Sequence, residues 1–154
     1  MRKSICILFV LINLSLFSQT YEINITNEDF ITSFQETDER GVNITIYELK
    51  TNLPDGEYTV YYDSLKTIKY LNANILNSQK YGIWRFYNEN GNLKRITNFV
   101  NNVKDGEEHI YFSNGNLSEL RNYENNLLNG YRYFYNSEET EILRQNYING
   151  QLIK

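Results

Sequence analysis

Two stretches decide the fold: Tyr81-Gly-Ile-Trp-Arg-Phe-Tyr-Asn-Glu-Asn-Gly-Asn-Leu93 and, 24 residues on, Gly106-Glu-Glu-His-Ile-Tyr-Phe-Ser-Asn-Gly-Asn-Leu117. Each runs from a glycine through an aromatic-rich segment to an Asn-Gly pair. Working outward, Gly82, Gly106 and Gly130 recur every 24 residues, and Gly56 precedes Gly82 by 26. Five residues after each glycine stands a tyrosine: Tyr61, Tyr87, Tyr111 and Tyr135. The residue before each tyrosine is apolar (Val60, Phe86, Ile110, Phe134), and so is the one seven before each glycine (Leu49, Ile75, Phe99, Tyr123). Between these lie the polar pairs Thr51-Asn52, Asn77-Ser78, Asn101-Asn102 and Asn125-Asn126, and Tyr147 with Asn149-Gly150 begins a fifth copy. Several columns agreeing in one register identify an internal repeat.

Asn-Asn and Asn-Gly pairs tolerate the positive φ that a two-residue hairpin turn requires. The segments between them are short and rich in Tyr, Phe, Ile and Thr, as half-buried strands are. Asn88-Glu-Asn-Gly-Asn92 and Ser113-Asn-Gly-Asn116 supply a second turn within each repeat. The expected fold class is therefore all-β: an elongated antiparallel sheet of tandem β-hairpins with a period of about 24 residues. The periodic glycines are placed for a bulge or a close backbone approach. About ten strands at ~4.8 Å would span on the order of 45 Å.

These columns resemble the variant MORN repeat of the YwqK-type antitoxin family over 49–154. The turn segments Phe99-Val-Asn-Asn-Val-Lys-Asp-Gly106 and Tyr123-Glu-Asn-Asn-Leu-Leu-Asn-Gly130 carry the likeness along with the two stretches above. The resemblance implies a hairpin array that serves as a binding scaffold, in some members as an antitoxin, and it brings no catalytic residues. The chain departs from the pattern twice. Its first repeat is two residues longer, with Ser64-Leu65 at the inner turn, and its fourth has Ser137-Glu-Glu-Thr140 in place of Asn-Gly, so both turns are expected to be looser or bulged.

Ahead of the repeats, 1–19 reads as a signal peptide. Met1-Arg2-Lys3 is a basic start, and 5–17 is apolar but for Asn13 and Ser15, too short for the roughly 20 residues of a bilayer span. A buried N-terminal strand is the alternative. Segment 20–48 is expected to cap the open edge of the first repeat. Within it 21–25 and 42–46 alternate like strands, while Thr26-Asn27-Glu28-Asp29 ahead of Phe30, Ile31 and Phe34 suggests a short helix.

The chain carries 15 Lys and Arg against 19 Asp and Glu. Removal of Arg2 and Lys3 with the leader leaves 13 against 19, a net charge of −6. An acidic chain without a basic stripe argues against nucleic acid, and with no juxtamembrane basic cluster a stable membrane anchor is not expected. The expected location is secreted or periplasmic. The single Cys6 falls within the leader, and His109 is the one histidine. No cofactor or metal is expected, because a lone histidine makes no typical site without converging carboxylates. His109 with Ser113 shows no nucleophile elbow and reads as a solvated strand residue. Glu107-Glu108 and Glu138-Glu139-Glu141 read as solvated acidic surface, since neighbours on a strand point to opposite faces.

What remains is the aromatic set. The Tyr61/87/111/135 column reads as cross-strand packing. Trp84, Tyr131 and Tyr133 occur in single repeats, so the architecture does not demand them, and they are the candidate binding residues. Odd offsets from the glycine place Tyr131, Tyr133 and Tyr135 on one face and even offsets place Trp84 and Phe86 on the other, which leaves the buried face undecided. The expected function is an exported, non-enzymatic protein-binding scaffold, an antitoxin or immunity protein in its narrower form. The alternative is a surface structural or glycan-binding protein, and self-association through sheet edges is a further possibility.

Overall fold

Left-handed backbone punctuates the chain at fixed intervals. Asn77 and Ser78, Asn101 and Asn102, Asn125 and Asn126, and Asn149 and Gly150 all have φ between 51° and 80°. Each pair closes a two-residue hairpin, as the turn chemistry requires. The structure, a computed structural model, describes residues 19–153 except 25, 29, 38–40, 42 and 51. Residues 1–18 of the proposed leader and residue Thr51 of the first turn pair therefore lie outside the described residues.

The strands run β1 (Thr20–Asn24), β2 (Ile31–Thr37), β3 (Asn43–Leu49), β4 (Gly56–Tyr61), β5 (Lys69–Leu76), β6 (Gln79–Lys80) and β7 (Gly82–Tyr87). They continue with β8 (Leu93–Val100), β9 (Val103–Tyr111), β10 (Leu117–Glu124), β11 (Leu127–Leu128), β12 (Gly130–Tyr135), β13 (Glu141–Ile148) and β14 (Gln151–Ile153). The main sheet has the order β1-β4-β5-β7-β8-β9-β10-β12-β13-β14, with β6 paired to β5 and β11 to β10. From β4 onward every pairing is antiparallel. The fold is the all-β, elongated hairpin sheet that the period implies.

Two irregularities recur with the repeat. One residue is inserted opposite the step into each repeated tyrosine. Val60↔Leu71 is followed by Tyr61↔Lys69, Phe86↔Arg95 by Tyr87↔Leu93, Ile110↔Glu119 by Tyr111↔Leu117, and Phe134↔Leu143 by Tyr135↔Glu141. The extra residues, Tyr70, Lys94, Ser118 and Ile142, are themselves 24 apart. The second irregularity lies at the glycines. Thr97↔Glu108 gives way to Phe99↔Lys104, so Asn98 faces three residues centred on Gly106. The bulge is held by the Asn98 amide, which donates to the Asp105 carbonyl at 2.7 Å; Asn74 and Asn122 do the same for Ile83 and Tyr131. Gly106 has φ +91°, a conformation that a side chain resists.

Successive turns are tied to the repeat before them. The Asn102 amide N–H donates to the Lys80 carbonyl at 3.0 Å, and the Lys80 N–H donates to Asn102 Oδ1 at 2.7 Å. Asn126 repeats both bonds on Lys104. On the opposite margin the inner turns share one pattern, with Asn88, Phe112 and Asn136 N–H groups donating to Asn92, Asn116 and Thr140 carbonyls. The fourth turn is not looser, contrary to expectation: Glu139 takes the left-handed position of the missing glycine at φ 60°, and its carboxylate accepts from the Leu117 N–H. The longer first turn is closed by Asp63, whose carboxylate accepts from the Thr67 and Ile68 amides.

The N-terminal segment differs most from expectation. β1 does cover the open edge of β4, but in parallel register, Thr20↔Glu57 to Asn24↔Tyr61. Among the described residues no helix follows Thr26: a turn closed by the Phe30 and Ile31 N–H groups on the Asn27 carbonyl precedes β2. The reason is tertiary, since β2 pairs along its whole length with β3 from Ile31↔Leu49 to Thr37↔Asn43. Leu49 holds the column position of Ile75 and Phe99, yet its strand leaves the sheet to join β2. The repeat sheet thus begins at Gly56 rather than at residue 49. The β2–β3 pair lies over one face of the first two repeats. There Ile23, Ile31, Leu49 and Leu53 pack with Tyr58, Val60, Leu71, Ala73, Ile75, Trp84 and Phe99.

Gly106→Ala is expected to cost about 1–2 kcal/mol through backbone strain, because the added Cβ would meet only Asn98 Nδ2 at an ordinary 3.7 Å. Gly56→Ala acts by another route: its Cβ would sit 2.7 Å from the Gln19 carbonyl and 2.8 Å from the Tyr21 ring. Urea unfolding checks the first, and amide exchange of β1, expected to accelerate only in the Gly56 variant, checks the second.

Candidate functional site

The pleat sorts the columns onto two faces. Residues at even offsets from each glycine form the inner face, the one beneath β2–β3. Its central row reads Tyr58, Trp84, Glu108, Arg132 along the repeats. The row is apolar where the hairpin covers it and charged beyond. Trp84 is 2% exposed, donates its indole N–H to the Asn74 carbonyl at 3.2 Å, and meets Phe99 edge-on at 5.2 Å between centroids. It is part of the core and unavailable as a surface binding residue.

Beyond the hairpin an ion network replaces hydrophobic burial. Glu108 is fully buried although its neighbour Glu107 is exposed, so the acidic pair is not uniformly solvated surface. Its carboxylate accepts from Lys104 Nζ at 2.7 Å, Thr97 Oγ1 at 2.9 Å and Arg121 at 3.2 Å. Arg121 also binds Glu119, which Arg132 engages from the next repeat. Burial pushes the Glu108 carboxyl up, but the Lys104 hydrogen bond and charge, with Arg95 and Thr97, outweigh it and hold it below its ordinary value. Glu119 follows the same balance: burial raises it, and Arg121 with Arg132 brings it down. The Arg121 guanidinium is raised in turn by its bond to Glu119. Glu138, Glu139 and Glu141 are exposed, as the sequence suggests.

At the junction of these two regions lies a cleft of about 300 Å³ between β3 and the sheet. Tyr47, Leu49, Trp84, Phe86 and Phe99 form its walls, and Lys80, Arg95 and Lys104 reach it. Arg95 stacks on Phe86 at 4.1 Å, and Lys80 lies over Trp84 at 5.2 Å. Sequence reasoning passed over both cations. The available signal was their parity, which puts charge on a face that neighbouring repeats fill with rings.

The outer face is uncovered and mostly half-buried to exposed, with Tyr61 as its buried member. Here Tyr131, Tyr133 and Tyr135 form a ladder, with centroids 5.9 and 6.5 Å apart. Arg144 lies 5.7 Å from the Tyr131 ring and 5.9 Å from that of Tyr133. Tyr131 is 46% exposed, and burial raises the Tyr135 hydroxyl. One repeat away on the same face, His109 contacts Glu107 at 2.9 Å and stacks on Tyr111. The three candidate binding residues are therefore divided: Tyr131 and Tyr133 stand together outside, and Trp84 lies on the opposite face. Of the repeated tyrosines, Tyr61 is buried, while Tyr87 donates to Asn72 Oδ1 across the strands at 3.1 Å.

No protein-family model matches the chain, and no curated protein matches it. Among solved structures, a crystal structure of accessory secretory protein 1, 2 and 3 in Streptococcus pneumoniae is similar over 73% of this chain, at 15% identity and a TM-score of 0.37. The chain spans about a fifth of that chain's length, 19%. The likeness is too slight to bear on fold or function.

The charge network predicts acid sensitivity. Both glutamates have folded pKa values below the ordinary 4.5, so their stabilisation is complete above that value and is lost as pH falls through the depressed values. Urea midpoints measured from pH 7 to pH 3 should fall steeply below about 4.5, and less so in Glu108→Gln, which itself costs about 3 kcal/mol at neutral pH. Trp84→Ala is expected to cost about 3–5 kcal/mol. Tyr131→Ala should cost under about 1 kcal/mol by the same measurement.

Proposed function

We propose that the chain is an exported, non-enzymatic protein-binding scaffold of the variant MORN type, with the outer tyrosine ladder as its contact surface. The observation that supports this is the exposure of Tyr131 next to half-buried Tyr133, with Arg144 beside both rings. Tyrosine and arginine are the residue types enriched at binding hot spots, and here neither ring is used by the core. Rings of this kind offer large contact area with few rotatable bonds, so little entropy is lost on docking. The sheet is long and its repeats are tied through both margins, which supplies a stiff platform. The same rings would also stack on sugars, which makes a glycan the competing ligand. The narrower reading is an antitoxin or immunity protein, whose partner would be a toxin.

The test is affinity capture from the source cell's envelope and medium, followed by measurement of the affinity for the captured protein. The wild type should retain one stoichiometric protein partner, and Tyr131→Ser with Tyr133→Ser should bind it at least about tenfold more weakly while keeping its urea midpoint. Capture of no protein, or unchanged affinity in the double variant, would overturn the reading, and binding on a glycan array would then establish the competing one. In the antitoxin form, deletion of the gene should make a neighbouring gene toxic.

A further inference from the structure

We infer that the cleft between β3 and the inner face is a binding site for a carboxylate carried on an apolar or aromatic body. The first observation is Arg95. Its Nε is buried and has no hydrogen-bond partner among the described residues, and its guanidinium rests on the Phe86 ring at 4.1 Å. Every other arginine on the inner face is engaged: Arg121 by Glu108 and Glu119, and Arg132 by Glu119. Arg95 as a whole is half-buried, and a buried N–H without an acceptor is costly, a cost that ring contact offsets only in part.

The second observation is that half-buried Lys80 reaches the same cleft with its ammonium over rings. Its ammonium stands 5.2 Å from the Trp84 centroid and 5.5 Å from that of Phe99, and no described carboxylate lies within ion-pair distance of it. Lys104, the third cation there, is already committed to Glu108. Two cations without an ion-paired carboxylate among the described residues therefore converge on one aromatic-walled space of about 300 Å³, at the small end of ligand pockets. A planar guanidinium matches a carboxylate, and the rings match an apolar body. Glu48 lines this cleft, and Glu36 joins Glu48 and Arg95 on the adjoining one. Their charge disfavours a dianion such as phosphate. The site is on the opposite face from Tyr131 and Tyr133, so it does not depend on the scaffold reading.

Trp84 is the single tryptophan and forms a wall of the cleft, so its emission reports occupancy directly. The full chain is titrated with N-acetyl-phenylalanine, with its neutral amide, and with inorganic phosphate. The acid should change the Trp84 emission saturably, the amide should bind at least about tenfold more weakly, and phosphate should leave the emission unchanged. Arg95→Met should weaken acid binding at least about tenfold with a folded-state urea transition retained. Lys80→Met should weaken it as well and serves as the readout if the Arg95 variant does not fold. A tripeptide ending in phenylalanine separates two sources of the same chemistry: tighter binding than the acetylated amino acid assigns the site to a peptide terminus, and equal binding to a free small acid. The inference is overturned if the amide or phosphate binds as well as the acid. It is also overturned if neither substitution weakens binding, or if no saturation occurs up to about 10 mM.

Discussion

The structure depends on one backbone constraint, met every 24 residues: two consecutive residues must turn left-handed. Asparagine meets it at little cost and then does a second job. At Asn102 and Asn126 the side-chain oxygen that eases the turn also accepts the N–H of Lys80 and Lys104 in the preceding repeat. The main chain of the same asparagines returns a bond to those residues. Turn formation and the stacking of repeats are therefore one interaction, and the sheet grows in a single register. On the far margin, Asn92 and Asn116 side chains donate to Ser113 and Ser137 carbonyls, so both edges of the ribbon are joined from repeat to repeat.

With the frame set by its margins, the inner face is free to vary in chemistry. Over the first two repeats it is covered by β2–β3 and filled by Tyr58, Trp84, Leu71 and Ile75. Past the end of that hairpin, an apolar row would face water, and the corresponding residues are Glu108, Arg121, Glu119 and Arg132. Their alkyl stems bury the carboxylates while their charges cancel. Where the apolar and ionic regions meet, neither solution is complete: Arg95 and Lys80 have rings beneath them and no carboxylate at ion-pair distance among the described residues. That incompleteness is local, and it coincides with a cleft between β3 and the sheet.

Much of this was legible beforehand. Asn101-Asn102 and its equivalents carry the turn geometry in their own conformational preferences, so the hairpin period needed no tertiary information. The bulge at Gly106 was equally local. Trp84 was misjudged, because a residue present in a single repeat was read as surplus to the architecture, whereas the layer above it differs from repeat to repeat. Segment 26–37 was misjudged for a related reason. Its capping pattern and spaced apolar residues suit a helix, and only the edge of β3 makes a strand of Ile31–Thr37.

The sequence by itself determined the repeat, the turns, the bulge glycines and the antiparallel run from β4 onward, because each rests on residues close together in the chain. The tertiary structure decided which face is inside. Both faces carry aromatics at period two, so alternation alone could not choose between them. The choice was made when β3 left the sheet, β1 took its place at the edge in parallel register, and the β2–β3 pair settled on the even-offset face. That contact joins residues 31 and 49 to residues 84 and 99, a separation over which no local preference acts. It buries Trp84, leaves the face of Tyr131 and Tyr133 uncovered, and forms the cleft that Arg95 reaches.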